Sequence, residues 1–272
     1  MIVEQTYNLL KRKYGYGFET LLISDVTIGL HLTAVRLSDK SIGTSTTLAD
    51  TLPFCAKVNR DFGDFTPLRF KGQKAKDLLE TGKISATISS VKMAVLNAIS
   101  STIISSGSYS IIENCDPIQL LDLGSGKTIT IVGAFQSYIR KVSSTGNKLY
   151  VLEMNENSMA PEHRQFFIPA DDYKKILRVS DIVIITGQTL VNKTIDDLLS
   201  AIFPKAKVVI TGPSSGIIPD ILFENRVSIV GTMRITNPDI VFDIVSEGGT
   251  GFHLFEYCAE KICILNDGGS QT

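Results

Sequence analysis

Thr128-Ile-Thr-Ile-Val-Gly133, Asp181-Ile-Val-Ile-Ile-Thr-Gly187 and Ala206-Lys-Val-Val-Ile-Thr-Gly212 repeat one design, a run of β-branched apolar residues that stops on a glycine. Near-continuous Val/Ile runs are what strands covered on both faces look like, and such strands belong to parallel sheets. Ligands of open α/β sheets bind beyond the carboxyl ends of the strands. The loops that close these runs are therefore the first place to look for function.

Working outward, further strands are expected at 128–133, 148–153, 181–186, 206–211 and 227–231, with an edge strand near 261–265. Helices are expected between them, near 135–143, 171–178, 193–203, 217–224 and 237–246. The plainest helix start is Asn192-Lys-Thr-Ile-Asp-Asp-Leu-Leu: Asn192 or Thr194 can cap, and Asp196 and Asp197 fall in the first turn, where the dipole favours acids. Right-handed crossovers between such strands give a Rossmann-like, doubly wound, mainly parallel sheet, an α/β fold. Ahead of it lie a helix over about 3–13, β-rich segments at 20–29, 31–37 and 41–48, a loop-like stretch over 50–69 with Pro53, Gly63 and Pro67, a brief helix at 74–80 and a long small-residue helix at 85–105. Strands followed by helices make an α+β unit. Asp116-Pro117 to Lys127 reads as the linker, which divides the chain into 1–115 and 116–272.

With 272 residues, 43% of them hydrophobic, the chain has ample material for a core. A net charge of -1 and the absence of any Lys/Arg run argue against a nucleic-acid partner. The polar first residues lack the pattern of a secretory signal, and Val91 to Ile104 is too short and polar to span a bilayer, so no membrane is expected. Cys55, Cys115, Cys258 and Cys263 are scattered, which suits reduced thiols in a cytoplasmic protein.

Few motifs carry chemistry on their own. Gly124-Ser-Gly-Lys-Thr128 imitates a P-loop, but the first glycine of that pattern falls on Leu121 and the motif precedes a strand instead of following one. A tight turn is the simpler reading. Gly133 stands where a dinucleotide fold places its glycine-rich turn, with one glycine of the three expected. Glu153, 20 residues later at the end of the next strand, is placed to bond a ribose. Together they support an adenosine-type cofactor such as NAD or S-adenosylmethionine. Thr186-Gly-Gln-Thr189 and Thr211-Gly-Pro-Ser-Ser-Gly216 set hydroxyls and backbone N–H groups before a helix, where an anionic or chelating group can bind. The same residues also serve as ordinary turn and cap residues. His31, His163 and His253 share no ligand spacing, and Cys258 and Cys263 fit no C-x-x-C pattern. A G-x-S-x-G elbow is absent, so no catalytic residue is assigned.

Taken together, several stretches resemble the two-domain proteins known as the putative heavy-metal chelation family. In the first half these are Ile28-Gly-Leu-His-Leu-Thr-Ala-Val-Arg36, Gly43-Thr-Ser-Thr46 and Val91-Lys-Met-Ala-Val-Leu-Asn-Ala98. In the second they are Gly126-Lys-Thr-Ile-Thr-Ile-Val-Gly133, Thr186-Gly-Gln-Thr-Leu-Val-Asn-Lys-Thr194 and Thr211-Gly-Pro-Ser-Ser-Gly-Ile-Ile-Pro219. The resemblance implies an enolase amino-terminal-like α+β domain, a Rossmann-like domain and a site between them.

Three functional classes follow. In the first, a small anionic or metal-chelating molecule binds in the interdomain cleft, held on one wall by Gly133, Thr186, Gly187, Thr189, Gly212, Pro213, Ser214 and Ser215 and on the other by Thr44, Ser45 and Asn97. In the second, an enzyme holds an adenosine-type cofactor through Gly133 and Glu153. In the third, a non-catalytic accessory protein binds a metal ion directly. A homodimer stands among the open assemblies.

Overall fold

The computed structural model describes residues 1–49, 61–124 and 126–267. Pro53, Cys55 and Ser125, singled out above, lie outside the described residues. The chain opens with α1 (Ile2–Tyr14) and a three-stranded antiparallel sheet of β1 (Ile23–Ile28), β2 (Leu32–Leu37) and β3 (Ile42–Thr46) in the order β1-β2-β3. After α2 (Ala75–Glu80) comes α3 (Ala86–Ile104), whose start is fixed by the Ser85 hydroxyl accepting from the Ile88 N–H at 3.1 Å. Its length and apolar composition would suit a membrane span. Here two thirds of that stretch is buried, because α3 packs along β2 and β3 as the main helix of the first unit.

The chain then forms β4 (Ser110–Glu113), β5 (Thr128–Val132), α4 (Gln136–Ser143), β6 (Lys148–Glu153), β7 (Phe167–Pro169) and α5 (Tyr173–Leu177). Next come β8 (Ile182–Thr186), α6 (Gln188–Val191), α7 (Ile195–Ala201), β9 (Lys207–Thr211) and α8 (Asp220–Glu224). The last elements are β10 (Ile229–Ile235), α9 (Val241–Ser246), α10 (Gly251–Tyr257) and β11 (Ala259–Leu265). The large sheet has eight strands in the order β4-β11-β10-β9-β8-β5-β6-β7. Its six strands from β10 to β7 are parallel. Counted from β5, they follow the doubly wound order 3-2-1-4-5-6 of dinucleotide folds, which puts the topological switch point between β5 and β8. The expected α+β plus Rossmann-like fold class is the one observed.

The differences from expectation sit at the short elements. β4, β7, α6 and α10 have too few residues to show a period. β4 pairs antiparallel with β11, Cys263 facing Ile112, so the large sheet takes in residues ahead of the boundary expected at 116. The expected linker begins as a 3-10 turn over Pro117–Leu120, capped by Asp116. The Asp116 carboxylate also receives the Lys261 ammonium at 2.6 Å and the Tyr138 hydroxyl. Burial opposes its charge, yet these donors outweigh burial and hold the carboxyl below its usual range.

Strand alternation divides the core between the two faces of the large sheet. Ile129, Ile131, Ile182, Ile184 and Val209 face α4 and the segment around Ile118. Val183, Ile185, Val208, Ile210 and Val230 face the other way, into one continuous core with Val91, Met93, Leu96 and Ile99 of α3. The two units therefore share a hydrophobic core. On the opposite side of α3, Gly43 lets β3 touch the helix backbone: a Cβ there would stand 2.1 Å from the Ala94 carbonyl and 2.2 Å from the Ala98 nitrogen. Gly43→Ala should force strand and helix apart and cost about 3 kcal/mol, the upper end for overpacking. Urea denaturation of the full chain measures this, and a loss under 0.5 kcal/mol, within the ordinary scatter of ~0.5 kcal/mol for neutral sites, would contradict the packing.

Candidate functional site

The expected cleft wall proves to be two separate places. The first is a seam between the units. Asn97 on α3 donates from Nδ2 to the Thr44 carbonyl at 2.6 Å and to the Pro213 carbonyl at 3.3 Å. The Ser214 hydroxyl accepts from the Thr46 N–H at 2.8 Å and donates to the Thr46 hydroxyl at 3.1 Å. The Ser45 hydroxyl donates to the Ser90 carbonyl at 2.7 Å, and the Ser215 hydroxyl lies 2.6 Å from the carbonyls of both Gly212 and Gly231. Thr44, Ser45, Asn97, Ser214 and Ser215 are all buried. The hydroxyls of Ser45, Ser214 and Ser215, expected on the ligand wall, are engaged by backbone groups of this chain. A buried polar group must find partners, and here those partners are across the seam. Gly187 and Gly212 have the same structural duty: a Cβ on Gly187 would stand 2.8 Å from the Ser215 nitrogen, and Gly212 adopts φ 127°.

The seam is not closed throughout. A cavity of about 210 Å³ opens between Thr44, Asn97, Pro213, Gly216, Thr232 and Arg234. The Asn97 Oδ1 and the Thr232 hydroxyl both reach Gly216, 3.5 and 3.1 Å from where its Cβ would be, and neither has a hydrogen-bond partner. Thr232 escaped sequence reasoning because only the pairing of β10 with β9 brings it to α3.

The second place is a cavity of about 450 Å³ at the switch point, beyond the carboxyl ends of β5, β6 and β8. Its lining contains Gly133, Glu153, Thr186 and Thr189, so the structure brings the ribose-type pair and the first threonine loop together. Gly133 adopts φ 100°, a left-handed conformation that favours glycine, and its missing side chain leaves the Thr186 methyl 3.1 Å from the Cβ position. Glu153 turns one carboxylate oxygen back to the Met154 N–H at 2.7 Å. The Thr189 hydroxyl donates to the Thr186 carbonyl at 2.7 Å, and the Thr186 hydroxyl accepts weakly from the Gln188 N–H at 3.3 Å. Asp171 and Asp197 join Glu153 in the lining, and the lining includes neither lysine nor arginine. The field in this cavity favours a neutral hydroxylated or cationic group over a phosphate. Asp171 was missed because it lies on a segment remote in sequence from the glycine turns; Gln188, Asn192 and Asp197 lie close to Gly187 in the chain but were read as turn, cap and first-turn residues.

A directly held heavy metal finds no ligand set among the described residues. Among the described residues no three His, Cys, Asp or Glu side chains are grouped to hold an ion. The Cys263 thiol donates to the Cys115 carbonyl at 3.1 Å, and burial, followed by its neighbour Cys115, pushes it well above the usual thiol range, towards the neutral form that metals do not take. His163 lies 3.3 Å from the Gln136 side chain, and His253 Nδ1 accepts from the Thr250 N–H, a cap for α10. Lys127 of the P-loop-like stretch is paired with Asp122.

Comparison with known proteins agrees with this architecture. Residues 116–264 match the DUF364 family model and residues 11–100 match the DUF4213 model, both described as "Putative heavy-metal chelation". The fold is that of a protein of unknown function from the DUF364 family of Pyrococcus horikoshii: 20% identity, TM-score 0.77, covering 98% of this chain and 100% of that one. A second DUF364 structure, from Desulfitobacterium hafniense, shares 18% identity with a TM-score of 0.69, covering 90% of this chain and 92% of that one. A search of curated proteins returns no match.

Ser214→Ala would strip the Thr46 N–H of its acceptor inside the seam. It should destabilise the protein by about 1–3 kcal/mol, the cost of leaving a buried donor unpaired. Thr186→Val, at a half-exposed cavity wall, should change stability by less than about 0.5 kcal/mol. Equal effects of the two substitutions in chemical denaturation would refute the division into seam and cavity.

Proposed function

Because the chain belongs to the DUF364 family, described as "Putative heavy-metal chelation", we propose that it acts on a small molecule at the switch-point cavity, and that this molecule carries an adenosine-type ribose. The observation that supports this reading is the meeting of Gly133 and Glu153 at the ends of the first and second strands of a 3-2-1-4-5-6 sheet, in one cavity of about 450 Å³. Strand-end cavities of this size suit a cofactor or small ligand. The remaining Glu153 oxygen would accept from the ribose hydroxyls, and Gly133 would let the ligand approach the backbone. Asp171 and Asp197 disfavour a phosphate and favour a cation, so S-adenosylmethionine or adenosine fits better than the phosphate-bearing NAD, NADP or ATP. The link to chelation is then chemical modification or handling of a chelating molecule in the cytoplasm.

A second reading is supported by the two buried oxygens over Gly216. The 210 Å³ seam cavity would take a small chelating molecule that donates hydrogens to Asn97 Oδ1 and the Thr232 hydroxyl.

Thermal-shift measurements separate the two. Adenosine or S-adenosylmethionine at 100 times its dissociation constant should stabilise the fold by about 2.7 kcal/mol. Glu153→Ala should weaken binding roughly tenfold by removing the ribose acceptor, worth about 1.4 kcal/mol, while leaving the melting temperature of the free protein close to wild type. If NADP or ATP stabilises as strongly as adenosine, or Glu153→Ala binds equally well, the first reading fails.

A further inference from the structure

Away from both cavities, two lysines that form no ion pair among the described residues stand beside an apolar hollow. The hollow, about 370 Å³, lies where α1 and α3 approach the turn after α6, and Val3, Tyr7, Met93, Leu96 and Leu190 are among its walls. Lys92 rises from α3, partly buried, and its ammonium donates to the Thr81 carbonyl at 2.8 Å. Lys193 follows α6 with φ 63°, a left-handed conformation uncommon for a residue with a side chain. Neither lysine has an ion-pair partner among the described residues. Two acids share the lining: Asp196 accepts the Ile2 N–H at 2.9 Å, and Glu4 is exposed on α1.

Lys92 is partly buried and Lys193 is exposed at the rim of the hollow. Partial burial weakens the hydration of an ammonium, and a second like charge nearby adds to the cost. Burial, and then the charge of Lys193, hold the Lys92 amine below the ordinary lysine range. One anionic group between the two ammoniums would relieve both, while the walls below offer contact only to hydrocarbon. A compact phosphate would leave those walls bare, and a neutral lipid would leave the lysines unpaired.

We infer that this hollow is a binding site for an apolar monocarboxylate, its carboxylate bridging Lys92 and Lys193 and its hydrocarbon lying on Val3, Met93, Leu96 and Leu190. The inference is independent of the switch-point reading, since the two cavities share no lining residue. Isothermal titration of the full chain with submicellar decanoate tests it, with decanol as the uncharged control. Decanoate should bind at least tenfold more tightly than decanol. Lys92→Met and Lys193→Met keep the apolar stems and should each weaken decanoate at least fivefold while leaving decanol unchanged. Leu96→Trp should fill the hollow and abolish decanoate binding with both lysines intact; if that variant fails to fold, Leu190→Phe serves in its place. Decanoate no tighter than decanol, or unchanged affinity in the Lys92→Met, Lys193→Met double variant, overturns the inference.

Discussion

One sheet face serves two units. Val183, Ile185, Val208, Ile210 and Val230 are buried in the same core as α3, which belongs to the antiparallel half of the molecule. Apolar burial is the largest favourable contribution to folding, and a core continuous across a nominal boundary removes the freedom to hinge there. Much else follows from that constraint. The loop over 213–215 must lie against β3, and the polar groups trapped between them must bond one another. Asn97, Ser214 and Thr44 do so. Residues that read as a ligand wall are therefore largely the polar mortar of a fixed joint.

The same sheet leaves a usable opening only where its strand order reverses. Loops from neighbouring strands run to the same side elsewhere and fill the edge, as Ser215 does beside Gly231. Between β5 and β8 the connections leave in opposite directions, and the space beyond their tips is lined by Gly133, Thr186 and Glu153. The chemistry of that space is set by what is near it: three carboxylates and small polar residues, with the lysines elsewhere on the molecule. Fold alone does not decide function, but this charge distribution discriminates among ligands that the fold would admit equally.

Much of this was legible in the sequence. The Val/Ile runs announced the parallel strands because burial on both faces leaves no room for alternation. Gly133 and Glu153 were legible through their spacing, which tracks one strand–helix–strand unit. What was hidden was pairing at a distance. β4 has four residues and no period of its own, and becomes a strand only against β11. Ser45 and Ser214 look alike to a sequence reader whether they face a ligand or, as here, Ser90 and Thr46 of this chain. Thr232 carries no local signal, since Asn97, which meets it over Gly216, is far away in the chain.

By itself, the sequence determined the main parallel strands and their α/β order, because local periodicity and turn chemistry act within a few residues. Only the tertiary structure decided which of those loops stay open. That outcome depends on how the first unit's β3 and α3 settle over the sheet, a long-range packing event in which burial converts some polar side chains into internal partners and leaves others facing a cavity.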